Sequence, residues 1–148
     1  MTGCVLDASV AVKWYLDEPG SEAARALQGF EGGLIAPQFL LVEVANILWK
    51  YSRRGELSPA TGSRILNHLG GAPIEWQEDS HLYQDAFQLA TDTGRTAYDC
   101  LYLSLAIRTE RPFVTADRKL YNALQGTPLE RHLLWVDDIP RWISSSTS

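Results

Sequence analysis

Cysteine is scarce in this chain of 148 residues, which carries only Cys4 and Cys100. The two form no C-x-x-C pair and lie in apolar segments, so buried, reduced thiols are expected and a structural disulfide is not. Histidine is sparse too: His68, His81 and His132 are scattered without H-x-x-x-H spacing, which argues against a zinc site. No apolar run approaches the roughly 18–20 residues that a membrane span needs. The opening "MTGCVLD" has no basic region before an apolar stretch, so no signal peptide and a cytoplasmic location are expected. No G-x-G-x-x-G follows a strand, which leaves dinucleotide binding unsupported. Basic residues are in deficit, 13 against 18 acidic, for a net charge of −5. That balance counts against nucleic-acid binding by bulk charge. It leaves room for a site that binds cations first and phosphate through them.

What remains is the composition of an ordinary globular protein, 45% hydrophobic and 21% charged. Short apolar runs alternate with helical patterns. "CVLD" is a strand ending in Asp7, and "ASVAVKWYL" follows with helical spacing. "SEAARALQGF" reads as a helix with Ser21 as N-cap. "GGLIAP" is a second strand. The pattern from Gln38 to Arg54 is the longest helix, with Pro37 near its start and Gly55 past its end. Ser58 caps another helix, with Pro59 at its first position. "PIEW" is a strand, and "DSHLYQDAFQLATDTG" an amphipathic helix capped by Asp79 or Ser80, with Leu82, Phe87, Leu89 and Ala90 on or near its apolar face. "YDCLYLSLAIR" is apolar nearly all round, as in a buried helix. "PFVTAD" and "HLLWVDDIP" supply two more strands. The alternation predicts an α/β fold with a mostly parallel sheet and helices on both faces. A single domain is expected over residues 1–143, with a disordered polar tail over 144–148.

Ligands of open α/β sheets bind beyond the carboxyl ends of the strands. Asp7 and Asp117 fall at such ends, and Asp99 opens the buried helix. Each precedes or begins a helix, so capping explains any one of them taken singly. Glu43 has no helix end near it and lies within "FLLVEVANILW", flanked by apolar residues. An unpaired buried carboxylate there is costly, although a polar stripe with Asn46 and Lys50 remains an alternative. Four carboxylates meeting at one sheet edge would repel unless cations sat among them. Oxygen ligation suits Mg²⁺ or Mn²⁺. Thr115, two residues before Asp117, shares its strand face and could hold a carboxylate or simply satisfy strand propensity. Ser9, two beyond Asp7, could do the same or cap the first helix. Asn46, one turn after Glu43, could hydrogen-bond it or be a surface amide.

Taken together, "VLDASVAVKWYLDE", "FLLVEVANIL", "AYDCLYLSLAI" and "FVTADRKL" resemble the acidic signatures of the PIN-domain family. The short chain looks most like VapC-type toxins of toxin–antitoxin pairs. The resemblance covers Val5 to Trp142, and its order of acids is more specific than any one motif. It implies a three-layer α/β/α sandwich and a Mg²⁺- or Mn²⁺-dependent endoribonuclease. Its metal-binding and catalytic acids would be Asp7, Glu43, Asp99 and Asp117, with Thr115 matching the hydroxyl residue of the last motif. It also implies an RNA substrate, a cognate VapB-type antitoxin and a homodimer. Substrate phosphate could be held by the metal with Lys13, Lys50, Arg53, Arg54, Arg118 or Lys119, although Arg53 and Arg54 follow a helix and could simply complement its dipole. Trp14 or Tyr98 could stack on bases or belong to the core or an interface.

Two Mg²⁺-dependent alternatives lack their residues. A haloacid-dehalogenase-type phosphotransferase wants a second Asp where Ser9 stands, and a response-regulator receiver wants a strand-end Asp that "PIEWQ" does not offer. From another class, a catalytically silent PIN-like module could bind a basic peptide in its acidic groove.

Overall fold

The computed structural model describes residues 3–146. Five short strands form one parallel sheet in the order β3-β2-β1-β4-β5: β1 Cys4–Leu6, β2 Leu34–Pro37, β3 Ile74–Gln77, β4 Phe113–Thr115 and β5 Leu133–Trp135. Strands this short and apolar are buried on both faces. Every residue of β1, β2 and β4 is buried, as expected of a parallel sheet covered by helices. The helices are α1 Ala8–Ala11, α2 Ser21–Arg25, α3 Phe39–Arg53, α4 Pro59–Gly70, α5 Tyr83–Thr93, α6 Ala97–Thr109, α7 Arg118–Ala123 and α8 Ile139–Ser146. With them the sheet makes a three-layer α/β/α sandwich, as the sequence predicts. No helix among the described residues is long and apolar enough to cross a membrane.

Helix α6 lies across β1, β2 and β4, and α5 packs against it. Its burial from Cys100 to Ala106 matches its unbroken apolar pattern. Helix α3 packs on α1 and α4. Ser58 caps α4 as expected, accepting the Thr61 N–H at 3.1 Å.

Several local expectations are corrected. Gly20, with φ +89°, is the N-cap of α2. Ser21 instead ties the preceding turn, donating to the Leu16 carbonyl and accepting the Glu18 N–H. Asp79 does not cap α5; its carboxylate accepts the Phe39 N–H at 3.2 Å, at the start of α3. A tertiary contact has taken the cap that local spacing suggested. Leu82, the N-cap of α5, and Ala86 within it are buried, whereas Phe87 is 65% exposed because it lies off that stripe. At the far end, α8 runs to Ser146, three residues into the segment expected to be disordered. Thr147 and Ser148 lie outside the described residues.

The start of β1 leaves no room for a side chain. A Cβ on Gly3 would come within 2.1 Å of the Gly33 carbonyl oxygen and 2.5 Å of that of Gly32. Both obstacles are backbone, so neither can rotate away. Gly3→Ala is expected to cost roughly 1–3 kcal/mol through forced backbone movement, read as a lower urea midpoint at unchanged m-value.

Candidate active site

The strand order places β1 and β4 side by side at the point where the chain changes direction across the sheet. Ligand crevices of α/β folds open at the carboxyl ends of such strands. Leu6 pairs with Val114, so the next residues out, Asp7 and Thr115, stand opposite each other. The Asp7 N–H continues the ladder to the Val114 carbonyl at 3.2 Å.

Asp7 is 8% exposed, and two hydroxyls hold it. Ser9 donates to its Oδ2 at 2.6 Å and Thr115 donates to the same atom at 2.8 Å. Each hydroxyl also reaches the loop after β4: Ser9 accepts the Ala116 N–H and Thr115 the Asp117 N–H, both at 3.0 Å. Ser9 and Thr115 therefore join Asp7 to the backbone that presents Asp117. Asp7 occupies the N-cap position of α1 but makes no side-chain cap bond, which removes the capping explanation for it. Asp117 does cap, its Oδ1 accepting the Leu120 N–H at 3.1 Å.

Asp99 is not a cap either. Thr96 caps α6 by accepting the Asp99 N–H at 3.1 Å, which leaves the Asp99 carboxylate available. Its Oδ2 receives Arg95 Nη2 at 3.3 Å, one helical turn back. Glu43 is partly buried on α3, and the buried Tyr102 hydroxyl of α6 donates to its Oε1 at 2.5 Å. Asn46 is exposed and forms no hydrogen bond with Glu43, so Tyr102 fills the place expected of that amide.

One pattern runs through all four acids. Each is anchored to the protein through a single oxygen: Asp7 Oδ2, Glu43 Oε1, Asp99 Oδ2 and Asp117 Oδ1. The second oxygen of each has no hydrogen-bond partner among the described residues. One-oxygen anchoring is also found away from this site, at Asp79, Asp85 and Asp137; what sets these four acids apart is that they repel one another.

The electrostatics follow from this crowding. Burial, chiefly, pushes the Asp7 carboxyl up to about 6, with Asp117 and Asp99 adding repulsion and the Ser9 and Thr115 hydrogen bonds opposing it. Glu43 is pushed up to about 7, first by burial and then by the charges of Asp7, Asp99 and Asp117; the Tyr102 hydrogen bond works the other way. Asp99 is raised by burial, with Arg95 pulling it back down. The four groups thus sense one another, although they do not close into a cluster of three or more metal-competent side chains among the described residues. By chemistry the donor set fits a hard divalent cation. It is all oxygen, it repels itself, and it keeps one uncommitted oxygen per carboxylate.

A model of the PIN domain matches residues 4–124. The chain belongs to the PIN-domain family. A curated relative, Ribonuclease VapC3 of Pyrobaculum aerophilum, is 34% identical over 118 residues, spanning 78% of this chain and 90% of its own. Among solved structures, a Pyrobaculum aerophilum protein superposes with a TM-score of 0.72 at 23% identity, covering 97% of this chain and 96% of its own. A toxin–antitoxin complex from Klebsiella pneumoniae gives 0.63 at 14% identity, with 89% and 96% covered. These two likenesses concern the PIN fold.

Two residues of this PIN site escape a reading by motif: Tyr102 and Arg95. Tyr102 is three residues beyond Asp99, on the same helix, and a repeated Tyr-x-x-x-Tyr there was the available signal. Arg95 was visible only as a cation four residues before Asp99. Of the two aromatics considered for base stacking, Trp14 is excluded: it is 9% exposed, with its indole N–H bonded to the Ala24 carbonyl. Tyr98 is 62% exposed and stacked on Phe39, rings 5.1 Å apart and 8° from parallel.

Proposed function

We propose that the protein is a Mg²⁺- or Mn²⁺-dependent endoribonuclease and the toxin of a VapBC-type pair. The reading rests on the mutual repulsion among Asp7, Glu43, Asp99 and Asp117 beyond the carboxyl ends of β1 and β4, and it is supported by the kinship to a ribonuclease. Asp7, Glu43, Asp99 and Asp117 would hold the cation. Bound there, it would supply Lewis acidity to the phosphodiester and its attacking water.

The chain's own residues do the rest. Ser9 and Thr115 fix the Asp7 rotamer and leave Oδ1 for ligation. Tyr102 does the same for Glu43, leaving Oε2. Arg95 offsets charge at Asp99 without occupying both its oxygens. Glu43 and Asp7, with proton affinities raised towards neutrality, are suited to accept a proton from the attacking water. In-line attack by water at phosphorus expels the 3′ oxygen and leaves 5′-phosphate and 3′-hydroxyl ends. A VapB-type antitoxin partner, a homodimer, a single nuclease domain and a cytoplasmic site of action belong to the same reading.

The test is direct. Purified, antitoxin-free protein is incubated with single-stranded and structured RNA in Mg²⁺, Mn²⁺ or EDTA, and product ends are mapped. Cleavage lost in EDTA, with 5′-phosphate products, is expected. Cyclic 2′,3′-phosphate ends would contradict attack by water. Intact RNA alongside tight binding of an Arg-rich peptide would favour the silent binding module.

A further inference from the structure

Six cations stand as candidates for holding substrate phosphate, and the structure separates them. Lys13 is ion-paired to Glu18 at 3.2 Å. Arg54 pairs with Glu56 at 3.3 Å and lies over Tyr51, and Arg53 lies over Trp49. Lys50 and Lys119 are exposed. Arg118, the residue after Asp117, is exposed, forms no ion pair among the described residues, and is nonetheless fixed in place. Its guanidinium lies 3.8 Å from the centre of the Trp135 ring. Trp135 is fixed in turn: its indole N–H donates to Asp137 at 3.2 Å, and Tyr121 packs against it at 5.2 Å.

Arg118 and Trp135 line a cleft of about 710 Å³, together with Lys13, Glu18, Ala116 and Asp137. Ala116 and Arg118 flank Asp117, so the cleft borders the carboxylate site. The acids on its wall are already engaged. Glu18 takes Lys13 and the Tyr51 hydroxyl, Glu56 takes Arg54, Asp17 takes Arg25 at 3.6 Å, and Asp137 takes the indole. Two charges of this wall are left without an ion pair among the described residues: the Asp137 carboxylate, held by the neutral indole, and the Arg118 guanidinium, the one cation of the wall free to take a phosphate. Stacking uses the face of a guanidinium and leaves its in-plane N–H donors for an anion.

Resting on the nuclease reading, we propose that Arg118, shelved on Trp135, binds a backbone phosphate of single-stranded RNA next to the scissile one, so that the strand runs from the carboxylates into this cleft. The contact is made equally in the ground and transition states, so its loss raises KM and spares kcat.

Two measurements test it. In steady-state cleavage of a short single-stranded RNA, Arg118→Ala is expected to raise KM roughly 10-fold or more, the scale of a charge-assisted contact, with kcat within about twofold. Arg118→Lys recovers part of the loss. In the Asp99→Asn background with EDTA, RNA affinity is titrated against salt. Arg118→Ala should flatten the slope of log K against log salt by about 0.7, one phosphate contact on a single strand. A fall in kcat at unchanged KM would overturn the proposal, since Arg118 would then act through Asp117. So would an unchanged affinity and slope, or a loss confined to binding of an acidic peptide. If the parent chain cleaves nothing yet the salt slope still depends on Arg118, the nuclease reading falls and the phosphate contact stands. Absence of any RNA binding sinks both.

Discussion

Asp7→Asn and Asp99→Asn are each expected to lower kcat/KM for RNA by roughly 10³-fold or more, about 4 kcal/mol of lost transition-state stabilisation. Neither carboxylate caps a helix, and Asn keeps an acceptor oxygen for Ser9 and Thr115 at Asp7, so these variants remove charge with little change in local hydrogen bonding. Asp117 needs a more careful choice of variant. Its Oδ1 caps α7, and Ala would remove cap and charge together, costing about 1 kcal/mol of stability besides activity. Asn keeps a cap oxygen and removes only the charge, so Asp117→Asn is the informative variant. Thr115→Val should fall between these and the parent, about 10–100-fold down, because Thr115 holds Asp7 and would act on a cation only through it. Single-turnover cleavage by the four variants, with far-UV circular dichroism as the control for folding, provides the ranking. Equal activity of Asp7→Asn and parent would remove Asp7 from the site.

The sequence went a long way towards this site, and where it stopped has a physical reason. The alternation of short apolar runs with helical patterns is enough for a parallel sheet, because β1, β2 and β4 are buried on both faces and read as unbroken apolar runs. The acids at strand ends were visible for the same reason: a charge closing an apolar run is conspicuous. What could not be read was which acids cap. Asp7, Asp99 and Asp117 all stand near helix starts, yet only Asp117 makes a cap bond. The difference lies in partners 108 residues away, since Thr115 competes for Asp7. Tyr102 and Glu43 are 59 residues apart and meet only because α6 and α3 converge. Asn46 was the reasonable guess from helical spacing, and the tertiary neighbour won. Asp79 shows the same rule, capping α3 across 40 residues in place of its own helix. Local spacing carries element type and position; it carries the hydrogen-bond partner only when that partner is also local.

Asp7→Asn is also expected to make the metal-free protein more stable at pH 8, by up to about 3 kcal/mol, while destroying its activity. The Asp7 carboxyl is raised from 3.8 to about 6 in the folded chain, and each unit is worth about 1.4 kcal/mol. The sign follows from proton binding. Between about pH 4 and 6 the folded state holds a proton at Asp7 that the unfolded state has released, so stability falls as pH rises through that window. Above it, the folded state carries a buried anion held by two hydroxyls and repelled by Asp117 and Asp99. An amide keeps an acceptor for Ser9 and Thr115 and never ionises. The advantage of the variant should therefore be full at pH 8 and disappear near pH 4; groups that do not sense Asp7 cancel between the two proteins, whereas Glu43 loses one of the charges that raise it. Glu43, raised from 4.5 to about 7 chiefly by burial, carries the loss of stability on towards pH 7 in both proteins, and less far in the variant, where the Asp7 charge is gone. Urea titrations in EDTA at both pH values measure it. Added Mg²⁺ should then narrow the gap by stabilising the parent more than the variant, about 2.7 kcal/mol for a site at 100 times its dissociation constant. A variant less stable than the parent at pH 8 in EDTA would mean that the Ser9 and Thr115 hydrogen bonds outweigh burial. Asp7 would then be a structural carboxylate already satisfied, with little need of a cation. Stability gained by removing a charge is the expected signature of a site that keeps four acids together for chemistry.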